Sequence, residues 1–304
     1  MAAPLTETPY ISAKGLETLS DTAILQLVLE GQSLALDSVR RSYETIAMAA
    51  AVMADAIRDG RVLHYVAAGS SALMAISDGL ELEGTFGIER AQVRLWMAGG
   101  IPTKTGMPGH VEDDEAAAAV VVSSIAAGDV VIAVTASGST PYTCASARLA
   151  QAKGATCIAI ANVPDAKVFD WADISVCLPT PPEIIAGSTR LGAATAQKAA
   201  LNMMSTLMGI RLGHVYDSRM VNLQADNEKL HNRARTMIAD ITGVSADDAS
   251  IYLAKSGYSV KSAILLASGV ATLEDANARL REVGGDLHAA LQWSSDTRNR
   301  SENR

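Results

Sequence analysis

The stretch Val130–Leu149 reads VVIAVTASGSTPYTCASARL, an apolar run that stops in Ser-Gly-Ser-Thr-Pro and continues in small residues. A short, continuous apolar run closed by a turn fits a strand buried on both faces, as in a parallel sheet. Pro141 suits the first position of a helix, where its missing N–H costs nothing. The stretch therefore predicts strand, turn and helix in succession, with Ser137, Gly138, Ser139 and Thr140 in the turn. A helix start gathers free N–H groups and the positive end of the dipole, so it attracts an anion, and hydroxyls add further donors. Ordinary N-capping would need only one Ser or Thr. The excess of hydroxyls points to a bound phosphate.

Working outward, the same unit repeats. Candidate strands are Val62–Ala67, Val93–Met97, Val130–Thr135, Thr156–Ala161 and Ile174–Leu178, with helices expected near 71–82, 111–126, 141–153 and 188–212. Short apolar strands alternating with helices predict an α/β fold with a five-stranded parallel sheet covered on both faces. Ligands in such folds bind at the carboxyl ends of the strands, where the strand order reverses. Two more turns carry hydroxyls at helix starts: Gly69, Ser70 and Ser71 after the first strand, and Gly187, Ser188 and Thr189 ahead of a long helix that carries Lys198.

Residues 1–60 read as an arm followed by two helices between Asp21 and Asp59, and 61–241 as the α/β domain. A further helix is expected near 221–241. From 242 to 292 short amphipathic segments with hydroxyl or acid starts and glycine stops predict a small helical bundle, and 293–304 a charged, disordered tail. Apolar residues make up 49% and charged residues 19%, which excludes long disordered regions away from the ends. A net charge of −8 argues against nucleic acid or an anionic membrane as partner. Cys144, Cys157 and Cys177 form no CxxC pair and read as reduced, buried thiols. The first residues lack the basic and apolar halves of a signal peptide, and no apolar run approaches the ~20 residues that span a bilayer, so a cytoplasmic protein is expected.

Two carboxylate groups stand out. Asp78 and Glu81 are three apart and would share a helix face, and VEDDE at 111–115 opens a helix, where acids also serve simply to complement the dipole.

These residues in order resemble a sugar isomerase (SIS) domain, and more closely the N-acetylmuramic acid 6-phosphate etherase family. The matching elements are TFG at 85–87, AGG at 98–100, ED at 112–113, ASGSTPY at 136–142, GSTRL at 187–191, TAQK at 195–198, LNM at 201–203 and NEKLH at 227–231. The similarity runs from about residue 5 to residue 292. It implies a three-layer SIS sandwich, cleavage of a D-lactyl ether by elimination and hydration, and neither metal nor organic cofactor. It also implies a homodimer, because SIS sites are often completed across subunits. Carried over by motif, the acid glutamate is Glu81 and the second catalytic glutamate Glu112. The phosphate of an amino sugar would rest on Ser137–Thr140 with Ser70 or Ser71. His231 is a candidate for ring opening, His110 for a substrate contact, and His64, within a strand, reads as structural.

Departures from the family pattern are local. The first turn, usually GTSGR, is Gly69-Ser70-Ser71-Ala72-Leu73; the usual Cys-Pro-Pro is Leu82-Glu83-Gly84; a common lysine is Gly192. Losing two cations beside an anion site points to a relative of the usual substrate. A non-catalytic sugar-phosphate sensor and a sugar-phosphate isomerase are the other readings that the residues allow.

Overall fold

A computed structural model of the chain describes residues 8, 10, 14–107, 110–223 and 228–293. Most of the expected N-terminal arm, the tail from 294, and Asn227 of the NEKLH segment lie outside the described residues.

Two helices come first, α1 (Asp21–Arg40) and α2 (Tyr43–Arg58). Ser20 starts α1 by accepting a hydrogen bond from the Ala23 N–H. The sheet then forms from β1 (Leu63–Ala67), β2 (Val93–Met97), β3 (Val130–Thr135), β4 (Thr156–Ala161) and β5 (Ile174–Cys177), all parallel and ordered β2-β1-β3-β4-β5. The expected sheet is present, with strand ends shifted by at most one residue. β1 and β3 bury every residue, which explains why these segments are continuously apolar. Helix α3 (Gly69–Phe86) follows β1, α4 (Ala118–Ser123) follows β2, α5 (Pro141–Ala152) follows β3 and α6 (Gly192–Arg211) follows β5. On one face Val121, Val122, Ile125 and Tyr142 pack on Val66 and Val131, while Cys144 and Ala147 pack on Ala133, Cys157 and Ala159.

Three helices start later than expected; the one expected near 221–241 is a turn at Val221 and Asn222 and helical over Glu228–Thr242. The helix expected from 111 is split: Val111–Asp113 is a 3-10 turn and α4 begins only at Ala118. The Asp114 carboxylate accepts the Ala117 N–H at 3.1 Å, a local bond that competes with helix and favours a turn. The helix expected from Ser188 begins at Gly192 because 187–191 close turns of their own, with Leu191 N–H donating to the Ser188 carbonyl.

Buried polar groups join helices to the sheet. Asp78 accepts hydrogen bonds from Tyr65 Oη (3.0 Å), Asn202 Nδ2 (2.7 Å) and Ser205 Oγ (2.8 Å), linking α3 to β1 and α6. His64 is fully buried; its Nδ1 accepts from the Trp96 indole N–H at 3.1 Å, so the proton sits on Nε2, 3.2 Å from Asp129 Oδ2. Burial lowers the pKa of His64, which therefore serves the structure as a neutral ring. Burial raises the thiols of Cys144 to about 11 and of Cys157 to about 12, keeping them protonated.

Two compact units result: Met1–Leu80 with Arg90–Leu207, and Glu81–Glu89 with Met208–Arg304. In the second, a hairpin of β6 (Val215–Tyr216) and β7 (Arg219–Met220) precedes α7 (Glu228–Thr242), α8 (Ala246–Lys255), α9 (Val260–Ala267) and α10 (Leu273–Glu282). The hairpin was not expected: its turn residues, Asp217 and Ser218, both take positive φ without the glycine that marks such turns in a sequence. Ser245, Ser259 and Thr272 cap α8, α9 and α10 through their side-chain oxygens. Met237, Ile238, Leu253, Ile264 and Leu265 form the core. Among the described residues no helix is long and apolar enough to cross a membrane.

Lys261 in α9 is 5% exposed and donates from Nζ to the Gly285 carbonyl at 2.6 Å. Burial, opposed by Asp286, lowers its pKa to about 8. The folded state resists the charge, so its penalty is full below pH 8 and disappears as pH rises towards 10.5, the unfolded value. Relative to Lys261→Met, the wild type is expected to gain about 3 kcal/mol of unfolding free energy between those limits, at 1.36 kcal/mol per pKa unit. Urea denaturation of both proteins at pH 7 and pH 10.5 measures this gain; parallel pH profiles would remove Lys261 as its source.

Candidate functional site

The strand order reverses between β1 and β3: the chain leaves β1 towards β2, then returns on the other side through β3, β4 and β5. A cavity of about 410 Å³ opens there, lined by Ala68, Gly69, Ser70, Ser71, Met107, Glu112, Ala136, Ser137, Thr140, Gly187 and Thr189. All three hydroxyl-bearing turns expected from the sequence therefore contribute to one cavity. Among these lining residues Glu112 alone carries a charge.

Each wall has a local cause. Gly69 takes φ +56° at the start of α3, and a Cβ there would stand 2.7 Å from Glu112 Oε1. Only glycine admits both the left-handed backbone and the carboxylate. The residue before it, Ala68, has no side chain able to cap α3. Gly138 takes φ +73°, and a Cβ on it would stand 2.3 Å from the Ala166 Cβ. The turn is pinned further by the Val168 N–H on the Gly138 carbonyl (2.9 Å) and the Asn162 N–H on the Ala136 carbonyl (3.1 Å). Thr140, at the N-cap of α5, makes no capping bond; its hydroxyl pairs instead with Thr135 Oγ1 at 2.8 Å. Ser137 Oγ accepts from the Ser139 N–H and hydroxyl, both at 3.3 Å. The hydroxyls that sequence alone could not separate from caps thus leave the α5 start uncapped by a side chain, the geometry of an anion site.

The other candidates are placed as follows. Ser139 is exposed beside Ser137, Ser188 and Lys198 do not line the cavity, and Lys198 is exposed. His110 precedes Glu112 at φ +61°. Glu81 lies in the same helix as Gly69, twelve residues on, belongs to the second compact unit and does not line the cavity. Asp78 is buried in its network whereas Glu81 is exposed, so the two acids do not act together from one face. In the second unit His231 packs edge-on against Tyr258, 4.8 Å between ring centres, in a separate cavity with Glu228, Arg235 and Ser250. Leu73 is 44% exposed and Gly192 packs on Ala35 and Glu183. Neither position where the family pattern loses a cation lines this cavity. The residue that sequence reading missed is Glu183, buried beneath the third turn. Its one signal was an acid nine residues before a helix start, which is too common to single out.

The class of the domain is given by residues 103–207, which match the family model for the SIS domain. A solved phosphoheptose isomerase from Francisella tularensis shares this fold, at a TM-score of 0.50 and 16% identity, over 63% of this chain and 100% of that one. An N-acetylmuramic acid 6-phosphate etherase from Geobacillus thermodenitrificans is 37% identical over 289 residues, 94% of this chain and 98% of the relative. One from Synechocystis is 35% identical over 94% and 95%. The chain belongs to the N-acetylmuramic acid 6-phosphate etherase family.

Gly69→Ala tests the close approach of Glu112. The added methyl meets the carboxylate and forces a left-handed backbone on alanine, at about 1–2 kcal/mol. The expected result is a folded protein with unchanged circular dichroism and activity reduced at least tenfold. Activity within twofold of wild type would show that the Glu112 position at Gly69 is not needed.

Proposed function

We propose that the chain is a carbon–oxygen lyase that cleaves the D-lactyl ether of N-acetylmuramic acid 6-phosphate, giving N-acetylglucosamine 6-phosphate and D-lactate. The carrying observation is the Glu112 carboxylate set over hydroxyl-bearing helix starts in a family whose members bear this name. Ser70, Ser71, Ser137, Thr140 and Thr189, with the open starts of α3 and α5, hold the 6-phosphate. The sugar opens to its aldehyde, which acidifies the proton on C2 without help from a metal or organic cofactor. Glu112 removes that proton. The C3–O bond breaks and lactate leaves with a proton from Glu81, giving an unsaturated aldehyde to which water adds. Each role requires a carboxyl group able to exchange a proton.

C2 and C3 are adjacent, whereas Glu81 is not among the residues that line the Glu112 cavity. The reading therefore takes Glu81 from a second copy of the chain, in a homodimer with two equivalent sites. Exposed Leu25 (68%), Leu29 (67%) and Leu80 (66%) supply apolar surface for that contact. His231 serves ring opening in the same reading. In this reading the protein works in the cytoplasm, where a phosphorylated, charged sugar is retained.

Incubation with N-acetylmuramic acid 6-phosphate should release D-lactate; binding without release would mark a sensor instead. Glu112→Gln and Glu81→Gln should each lose about 10²–10⁴-fold in rate, the usual weight of a general acid or base. In deuterated water Glu81→Gln should still exchange the C2 hydrogen of N-acetylglucosamine 6-phosphate, and Glu112→Gln should not. The reversed pattern would exchange the roles.

Mixing the two inactive variants tests the shared site. A heterodimer then rebuilds one site from intact Glu112 and intact Glu81, so random pairing should restore about a quarter of wild-type activity. No recovery in a mixture shown to exchange subunits would place both carboxylates in one chain.

A further inference from the structure

Between β5 and α6 the chain carries a buried carboxylate that the proposed chemistry does not use. Glu183 is 4% exposed. Its Oε2 accepts the Gly192 N–H at 2.8 Å and its Oε1 the Ala193 N–H at 2.9 Å. These are the first two N–H groups of α6, the groups that attract an anion at a helix start. In this helix the anion is internal: Glu183 fills the place that remains open at α3 and α5.

The consequence falls on the loop that the two bonds close. Residues 183 to 192 fold into consecutive turns, with Ser188 N–H donating to the Ile185 carbonyl (2.9 Å), Thr189 N–H to Gly187 (2.9 Å) and Leu191 N–H to Ser188 (3.1 Å). Gly187, at φ +76°, and Thr189 stand at its tip in the cavity wall. Beside Glu183, Ile184 presses on α1, 2.9 Å from where a Cβ on Gly31 would lie. The loop is thus fastened at its base by the Glu183 carboxylate and the Ile184 contact, and further on by the Ala194 N–H on the Thr189 carbonyl (2.9 Å), while its tip faces the cavity.

We propose that Glu183 is a positioning residue: by binding the start of α6 with both oxygens it fixes Gly187 and Thr189 in the cavity wall and so sets the affinity for the phosphorylated ligand. This rests on the phosphosugar reading of the cavity. An ionised glutamate is suited to the task because it is acceptor-only on both oxygens. Glutamine would turn an N–H₂ group against a backbone N–H. Aspartate is one methylene short.

The test uses the full chain and its Glu183→Gln and Glu183→Asp variants. Calorimetric binding of N-acetylglucosamine 6-phosphate is measured beside kcat, KM and hydrogen exchange of amides 185–191. Losing one charge-assisted bond corresponds to about a tenfold or larger effect. Glu183→Gln is therefore expected to raise Kd and KM about tenfold or more, leave kcat within twofold, and speed exchange in the loop. Glu183→Asp should fall between it and the wild type. A residue needed only for folding would lower the melting temperature and leave Kd of the folded protein unchanged; that result overturns the proposal, as does unchanged exchange in the loop. If Glu183→Gln does not fold, Glu183→Asp decides by the same readings. Failure of the wild type to bind the sugar phosphate would refute the functional reading instead, and loop exchange would still decide whether Glu183 holds the loop.

Discussion

The parallel pairing of β1 with β3 is the constraint on which the cavity depends. Leu63 pairs with Val130 and Ala67 with Val134, so both strands end at the same level and the turns after them open into one crevice. Parallel neighbours also send their helices away in the same sense, which brings the starts of α3 and α5 to that crevice with their N–H groups facing it. Two glycines make the approach feasible. Gly69 leaves room for Glu112, and Gly138 leaves room for Ala166. Both take φ values that other residues adopt only with strain.

Around this crevice, the helices are held to the sheet by buried polar groups rather than by apolar packing alone. Asp78 joins three elements through three donors. Asn162 reaches the Ala136 carbonyl with its backbone, and its side chain accepts from Gln197 Nε2 at 2.8 Å, tying α6 to the ASGST turn. Glu183 closes the loop before α6. Such groups cost a few kcal/mol each when left unpaired in the interior, so each one specifies a single register of helix against strand. Placement of the cavity wall thus follows from hydrogen bonding that apolar contacts would leave degenerate.

The chemistry of the lining follows from the same geometry. Donors are backbone N–H groups at helix starts and five hydroxyls, with one carboxylate beside them. An anion held this way is recognised by the direction of the donors rather than by net charge, which is consistent with a chain of net charge −8. Leu73 and Gly192, where the family pattern has cations, do not belong to this lining.

By itself the sequence determined the α/β class, the five strands to within a residue, the three hydroxyl-bearing turns and the family. These are legible because apolar runs, glycines and N-terminal prolines express local backbone preferences that tertiary contacts did not override here. Glu112 was legible only through resemblance, since an acid in a first turn has an ordinary explanation in the helix dipole. Tertiary structure decided the rest. It broke the helix expected from Val111 after three residues and set Glu112 against Gly69, 43 positions away in the chain. It buried Asp78 and left Glu81 exposed although they share a helix, and it put Glu183 under α6. Which polar groups meet across a sheet depends on strand order and register, and no local pattern of residues encodes those.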